Sequence, residues 1–331
     1  MTGAPAPDVS VVVVSFNTRD LLRECLGTLA AEAGGVRYET IVVDNASRDG
    51  SADMVAAEFP EAVLIRSDVN LGCAAANNRG FTVARGRYVV LLNSDAFLRP
   101  GALPTSVAKM DADPRVGLAG ARLIGRDGAW QPSARLFPSW VNDVLTLSGL
   151  AARYPRSRVF GRFDRTWADP AAAAEVDWVP GAYSIIRRSV LEQVGYFDER
   201  FFLYYEEVDL CRRIKAAGHT IWYWPDVVVV HIGGESSKTV TGVSMSSAGS
   251  QLTLWRMRAA LLYYRKHHGG RGAWLAMRTE TLWHALRAWR NRSSTDPVRQ
   301  AKAAESHALV GQMRTAWRET AGGRISPPRP W

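Results

Sequence analysis

The run VSVVVVSF at residues 9–16 constrains the fold of this chain more than any other feature. Continuous β-branched residues without alternation describe a strand covered on both faces, the usual state of a strand in a parallel sheet. Three more apolar runs follow, ETIVVD (39–44), AVLIRS (62–67) and YVVLLNSD (88–95). Between them lie helix-like segments. Asn17 and Thr18 stand where they would cap a helix from Arg19 to about Ala31, a second helix should end near Glu58, and NLGCAAANNRGFTVARG reads as a loop and a helix. Strands alternating with helices at this spacing predict an open α/β sheet with right-handed crossovers. Ligands of such sheets gather beyond the carboxyl ends of the strands. The residues expected there, Asn17, Asp44, Asn70 and Asp95, are all polar.

From about Pro100 to Val176 the pattern loosens, with one further strand expected at VGLAGARLI (116–124). Order returns at DWVPGAYSIIRRSVLEQVGYFDERF, and TIWYWPDVVVVHIGGESS contains a strand running up to His231. Residues 236–250 are expected to form a mobile loop before C-terminal helices. Residues 1–250 carry 26 Lys and Arg against 28 Asp and Glu, whereas residues 251–331 carry 15 against 4. The whole positive excess therefore belongs to the tail, and the question of a charged partner belongs there too. Cys25, Cys73 and Cys211 are far apart and form no CxxC pair, which argues against a disulfide framework or a zinc site. Met1 to Asp8 has neither a basic start nor an apolar h-region. No apolar run approaches the roughly 18 residues of a membrane span. The expectation is a cytoplasmic protein.

Several residues are placed for chemistry. Asp95, just past a buried strand in LLNSDAF, is either a turn residue or a hard oxygen ligand for Mg²⁺ or Mn²⁺. Asp44 is either the start of a capped turn or an acceptor for the imide N–H of a uracil or thymine ring. Asn70, Leu71 and Gly72 form a tight turn whose amides could face a ligand, and Gly80 reads as a packing glycine inside a helix. No GxGxxG follows the first strand, which counts against a dinucleotide oxidoreductase. The stretch FFLYYEEVDL (201–210) sets Glu206 and Glu207 side by side after aromatic residues. They form either an acidic, solvated helix start or a catalytic base at the mouth of a pocket. Adjacent helical side chains diverge by about 100°, so the two carboxylates have different tasks. Phe201, Phe202, Tyr204 and Tyr205 either line a pocket or belong to the core. Asp209 has a structural reading as a charge near a helix start.

The order VVVVSFN, VVDNASRDGS, NLGCAAANNRG, LLNSDA, VPGAYSIIRRSVLEQVGYFDERFFLYYEEVDLCRRIKAAG and HIGGES resembles the bacterial family 2 glycosyltransferases, and most of all their rhamnosyltransferase-like branch of cell-wall and surface polysaccharide synthesis. The resemblance covers residues 8 to about 238. It implies a GT-A fold over residues 1–240, a Rossmann-like nucleotide-binding mixed sheet flanked by helices, with residues 241–331 as a basic, Trp-rich helical extension. It further implies inverting transfer of a sugar, of rhamnose type, from a dTDP- or UDP-linked donor to a hydroxyl of a glycan acceptor carried on a lipid. On this resemblance Ser15, Asn17, Asp44, Asn70, Gly72, Asn93, Ser94 and Asp95 are donor-side positions. Asp95 matches the last acid of the DxD motif, and here Asn93 replaces the first. His231 matches a histidine that completes the site of a divalent metal, Mg²⁺ or Mn²⁺. Glu207 matches the general base, with Glu206 beside it, and Trp178, Gly181, Ala182 and Tyr205 match the acceptor side. The other reading is a catalytically idle sugar-nucleotide or glycan-binding module.

The tail holds six of the twelve tryptophans, and Leu275, Leu282, Leu286 and Trp289 recur at helical spacing, flanked by Arg271, Arg278, Arg287 and Arg290. This apolar face suits either an anionic membrane surface or packing on the catalytic domain. Nucleic acid is not expected, since no DNA- or RNA-binding motif is present.

Overall fold

Strand β1 (Val9–Ser15) is the consequence of its valines: Val9, Val11, Val12 and Val13 are all fully buried. Val9, Val11 and Val13 enter the apolar cluster on one face of the sheet and Val12 the cluster on the other. The computed structural model describes residues 6–233 and 251–327; the expected loop at 236–250 and the boundary at 240/241 lie outside them. The parallel half of the sheet is completed by β2 (Tyr38–Asp44), β3 (Val63–Arg66) and β4 (Tyr88–Asn93), with α1 (Arg19–Glu32), α2 (Ser51–Glu58) and α3 (Cys73–Val83) as crossovers. Register places Ser15 opposite Asp44 and Val14 opposite Asn93. The polar residues expected at the strand ends thus share one edge.

The second half is mixed. After β5 (Ala96–Leu98) come α4 (Ala102–Ala112), β6 (Val116–Ile124), β7 (Trp130–Gln131), α5 (Trp140–Leu147), α6 (Leu150–Arg153) and β8 (Ala174–Glu175). Then follow β9 (Tyr183–Arg187), α7 (Arg188–Val194), α8 (Glu206–Ala216) and β10 (Thr220–His231). Strand order is β3-β2-β1-β4-β9-β6-β10-β5, with β9 antiparallel to both neighbours and β5 antiparallel to β10. The segment after Pro100 is more ordered than its composition suggests. Gly101 takes the left-handed conformation (φ 80°) at the N-cap of α4, and Pro104 falls in that helix's first turn, where a missing N–H costs nothing. Gly80 is a packing glycine as expected, since a Cβ there would lie 2.4 Å from Val12 Cγ1.

The tail consists of α9 (Gln251–Asn291) and α10 (Pro297–Glu319). Helix α9 breaks at Gly269, whose φ of 69° is non-helical. Before the break Ala259, Leu262, Tyr263 and Tyr264 join the core that contains Val208, Leu210 and Cys211 of α8. Asp209 fastens this junction. Its buried carboxylate pairs with Arg213 at 2.9 Å, Lys266 at 2.7 Å and His267 at 2.7 Å. Those partners outweigh burial and hold its pKa below the ordinary value. Its role is structural.

Candidate active site

The donor side is built from polar locks that join separate strand ends at the carboxyl edge of β1, β2 and β4. Thr18 occupies the N-cap position of α1 without making a capping bond. Its hydroxyl instead donates to Ser94 Oγ at 2.8 Å and lies 3.1 Å from Ser15 Oγ. Asn17, at φ 52°, receives no help from glycine. Its backbone N–H donates to Ser47 Oγ, and its side-chain oxygen accepts from the Arg48 N–H at 2.7 Å. Asp44 Oδ2 accepts from the Ser47 N–H at 3.1 Å, while the buried Asp44 Oδ1 has no partner. A buried acceptor without a donor carries a desolvation cost that a ligand N–H would relieve.

Asn45 supplies the next lock. Its side-chain oxygen accepts from the Leu71 N–H and its amide donates to Asn70 Oδ1, which also accepts from the Gly72 N–H. Asn70 therefore shapes the turn with its oxygen. Gly72, at φ 80°, permits that turn to touch Phe202: a Cβ there would lie 2.4 Å from the Phe202 carbonyl oxygen. The Cys73 N–H donates to the same carbonyl at 2.7 Å. The donor-side turn and the segment carrying the carboxylates are thus directly joined.

Asp95 and His231 meet across β5 and β10, with Asp95 Oδ1 3.6 Å from His231 Nε2. Asp95 Oδ2 accepts from the Gly233 N–H. Gln131 grips His231 twice, its oxygen 3.1 Å from Nδ1 and its amide donating to the His231 carbonyl. With the Nδ1 proton directed at Gln131, Nε2 presents its lone pair beside the carboxylate. Burial lowers the His231 pKa more than Asp95 raises it, which keeps the imidazole neutral and able to ligate. The pair suits a hard divalent cation that would need further oxygen ligands from outside the chain. Among the described residues no cluster of three His, Cys, Asp or Glu could hold a metal by itself. Asn93 is exposed, and its N–H donates to the Ala182 carbonyl.

Tyr204 and Tyr205 precede α8 with φ of 71° and 69°. Two successive left-handed non-glycine residues cost energy that the surroundings must sustain, a condition found at functional sites. They deliver Glu206 and Glu207 into the interior at the first turn of α8. Glu206 Oε2 and Glu207 Oε2 are buried and have no hydrogen-bond partner. Burial, then the neighbouring Glu207 charge, raise the Glu206 pKa. Burial also raises that of Glu207, opposed first by a hydrogen bond from its own backbone N–H and then by the charge of Arg135. The solvated helix start is thereby overturned, because solvated carboxylates would be neither buried nor displaced upward. Phe201 and Phe202 belong to the core, with Phe202 against Trp255 at 4.5 Å, while Tyr204 is exposed. Tyr205 is half-buried and packs on Tyr263.

On the other candidate acceptor positions, Trp178 is buried, donates its indole N–H to the Leu136 carbonyl, and lies under the Arg135 guanidinium at 5.0 Å. Gly181 borders open space and Ala182 is buried. Sequence reasoning gave Thr18 only a capping role, which it does not perform, and passed over Asn45, Gln131 and Arg135. Asn45 had a signal, standing directly after Asp44 at a strand end. Gln131 had none, since it reaches His231 from 100 residues away.

The family model for Glycosyl transferase family 2 matches residues 10–195. The N-acetylglucosaminyl-diphospho-decaprenol L-rhamnosyltransferase of Mycobacterium tuberculosis is 28% identical over 313 residues, 91% of this chain and 92% of that protein. The mannosyltransferase PcManGT from Pyrobaculum calidifontis, solved with GDP-Man and Mn2+, is similar with a TM-score of 0.53 at 18% identity, over 95% of this chain and 88% of that one. GalNAc-T7, solved with UDP, GalNAc and Mn2+, gives a TM-score of 0.54 at 12% identity, over 96% of this chain and 57% of that one. The sheet with its flanking helices has the GT-A fold of these glycosyltransferases, and the chain belongs to glycosyl transferase family 2.

Proposed function

We propose that the protein transfers a sugar of rhamnose type, with inversion, from a nucleoside-diphosphate donor to a hydroxyl of a lipid-linked cell-wall glycan. The observation that carries this reading is the buried pair Glu206 and Glu207, each with an unpartnered oxygen, joined through Phe202 to the Gly72 turn. Asp44 Oδ1 is the acceptor for a base N–H, which favours a uracil or thymine nucleotide. Asp95 and His231 would hold a divalent cation, whose charge offsets that of the departing diphosphate. Support for a metal also comes from the Mn2+ in two proteins of like fold. The name of the mycobacterial relative supports rhamnose and a polyprenyl-linked acceptor.

Within the pair the proton has a preferred place. Arg135 opposes the rise at Glu207, whereas the Glu207 charge adds to the rise at Glu206. The base role is assigned to Glu207, the carboxylate that the Arg135 charge reaches. Glu207 takes the acceptor hydroxyl's proton as that oxygen attacks the anomeric carbon, and Glu206 stays protonated beside the Cys73 thiol. Turnover of a panel of nucleotide sugars with a polyprenyl-diphosphate glycan tests the reading. A dTDP- or UDP-linked deoxyhexose should be consumed with glycan extension. Binding of donor without release of nucleoside diphosphate across the panel would leave a sugar-nucleotide-binding module instead.

A further inference from the structure

Beyond Gly269 the long C-terminal helix changes character. Trp274, Leu282, Leu286 and Trp289 are 52%, 57%, 55% and 60% exposed, with Leu275 beside them. At about 100° per residue these positions occupy one arc of the helix. The opposite arc, Ala273, Glu280, His284 and Ala288, is buried. Helices that expose so many large apolar side chains on one face have a ligand for that face. This face, which the sequence left open to packing on the catalytic domain, does not pack on it.

The charges on this stretch have one sign. Arg271, Arg278 and Arg290 are exposed, and Arg292 follows them. The single acid of the stretch, Glu280, is turned inward to Arg256 at 2.6 Å. Arg278 stands over the Trp274 ring at 5.8 Å and Arg292 over Trp289 at 5.1 Å. Arg287 has a different task, pairing with Glu305 of α10 at 2.7 Å. The patch continues onto α5, where Trp140 and Val141 are exposed and the Trp140 indole N–H donates to Thr279 Oγ1 at 2.8 Å.

We propose that this face, Trp140 and Val141 with Trp274, Leu282, Leu286 and Trp289, docks on an anionic lipid bilayer. The indoles and leucines enter the headgroup boundary, and the arginines interleaved with them meet lipid phosphates. Charge decides against a second copy of the chain. A two-fold pairing would press two arginine-bearing faces, each with Arg271, Arg278 and Arg290, together with no exposed acid on the arc to offset them. The docking face also shares a framework with the base pocket. Asp143 of α5 accepts the Tyr264 hydroxyl, Tyr264 meets Tyr263 edge-on at 5.8 Å, and Tyr263 packs on Tyr205 at 5.3 Å, one residue before Glu206.

The test uses the full chain with vesicles of phosphatidylcholine alone or with phosphatidylglycerol, and needs neither donor nor acceptor, so it stands or falls apart from the transfer reaction. The chain should co-sediment with the anionic vesicles, weaken in high salt, and show tryptophan quenching by lipids brominated on their acyl chains. Replacing Arg271, Arg278 and Arg290 by Gln should weaken binding by about a hundredfold, given the usual attraction of each juxtamembrane arginine. The pair Leu282→Glu and Leu286→Glu should abolish the quenching. Equal binding to neutral and anionic vesicles, or absence of quenching in the wild type, overturns the proposal without relying on any variant. So does a wild-type dimer that the Leu pair dissociates while vesicle binding stays intact, since the face would then join two copies.

Discussion

The donor side and the base side of the cleft are built by opposite means. On the donor side nearly every polar side chain has a neighbour: Asn17 holds Arg48, Asn45 holds Leu71, and Asn70 holds Gly72, leaving Asp44 Oδ1 as an open acceptor. On the base side two buried carboxylates each keep an unpartnered oxygen, after two left-handed tyrosines. The first arrangement pre-organises the strand-end loops with hydrogen bonds between them. The second holds carboxylates in a costly state, and only a packed scaffold can sustain that. The scaffold is identifiable: α9 before its break, fixed to α8 by Asp209. The difference teaches that the nucleotide side rests on hydrogen-bonded polar locks among the first hundred residues, while the carboxylates depend on packing from the far end of the chain.

The largest effect should follow Glu207→Gln, which keeps shape but cannot take a proton, lowering transfer by roughly a hundredfold or more. Next, Asp95→Ala and His231→Ala should each weaken metal-dependent donor binding, and a chelator should abolish transfer until metal is restored. Binding titrations with and without metal check this; full transfer in excess chelator would break the comparison on the donor side. Asp209→Asn should destabilise by about 3 kcal/mol, since it removes the buried carboxylate that ties Arg213, Lys266 and His267 together, read from denaturant midpoints. The Asp209 pKa is depressed in the folded state, so its contribution is present above the ordinary carboxylate range and lost as pH falls through the depressed value. The subtlest effect is on pH. Transfer needs Glu207 ionised, and its pKa is raised, so the rate should climb with pH along an acid limb above the usual glutamate range. Arg135→Gln removes the opposing charge and should move that limb to higher pH in a profile of kcat/KM.

Legibility in the sequence followed range. Strands β1 to β4, β6 and β10 were readable because each is a local apolar run, and VGLAGARLI coincides with β6, whereas the short β5, β7, β8 and β9 were not read as strands. Asp44, Asp95 and Glu207 were visible because motif order carried them. Helix α4 was hidden by Pro104, although a proline in a first turn is harmless. Gln131 and Arg135 were invisible because their partners, His231 and Trp178, lie far along the chain. In the tail, the spacing of Leu275, Leu282, Leu286 and Trp289 announced a face but not its direction. Burial of Ala273, Glu280, His284 and Ala288 settles it.

The separation of recognition from reactivity is tested most directly by measuring donor affinity and single-turnover transfer together in Glu207→Gln and wild type. Donor affinity should stay within about twofold, because no donor-side lock involves Glu207, while transfer falls by roughly a hundredfold or more. Transfer near the wild-type rate would contradict the account, removing the base from Glu207. A loss of donor affinity matching the loss of transfer would contradict it equally, since donor side and base side would then be one site.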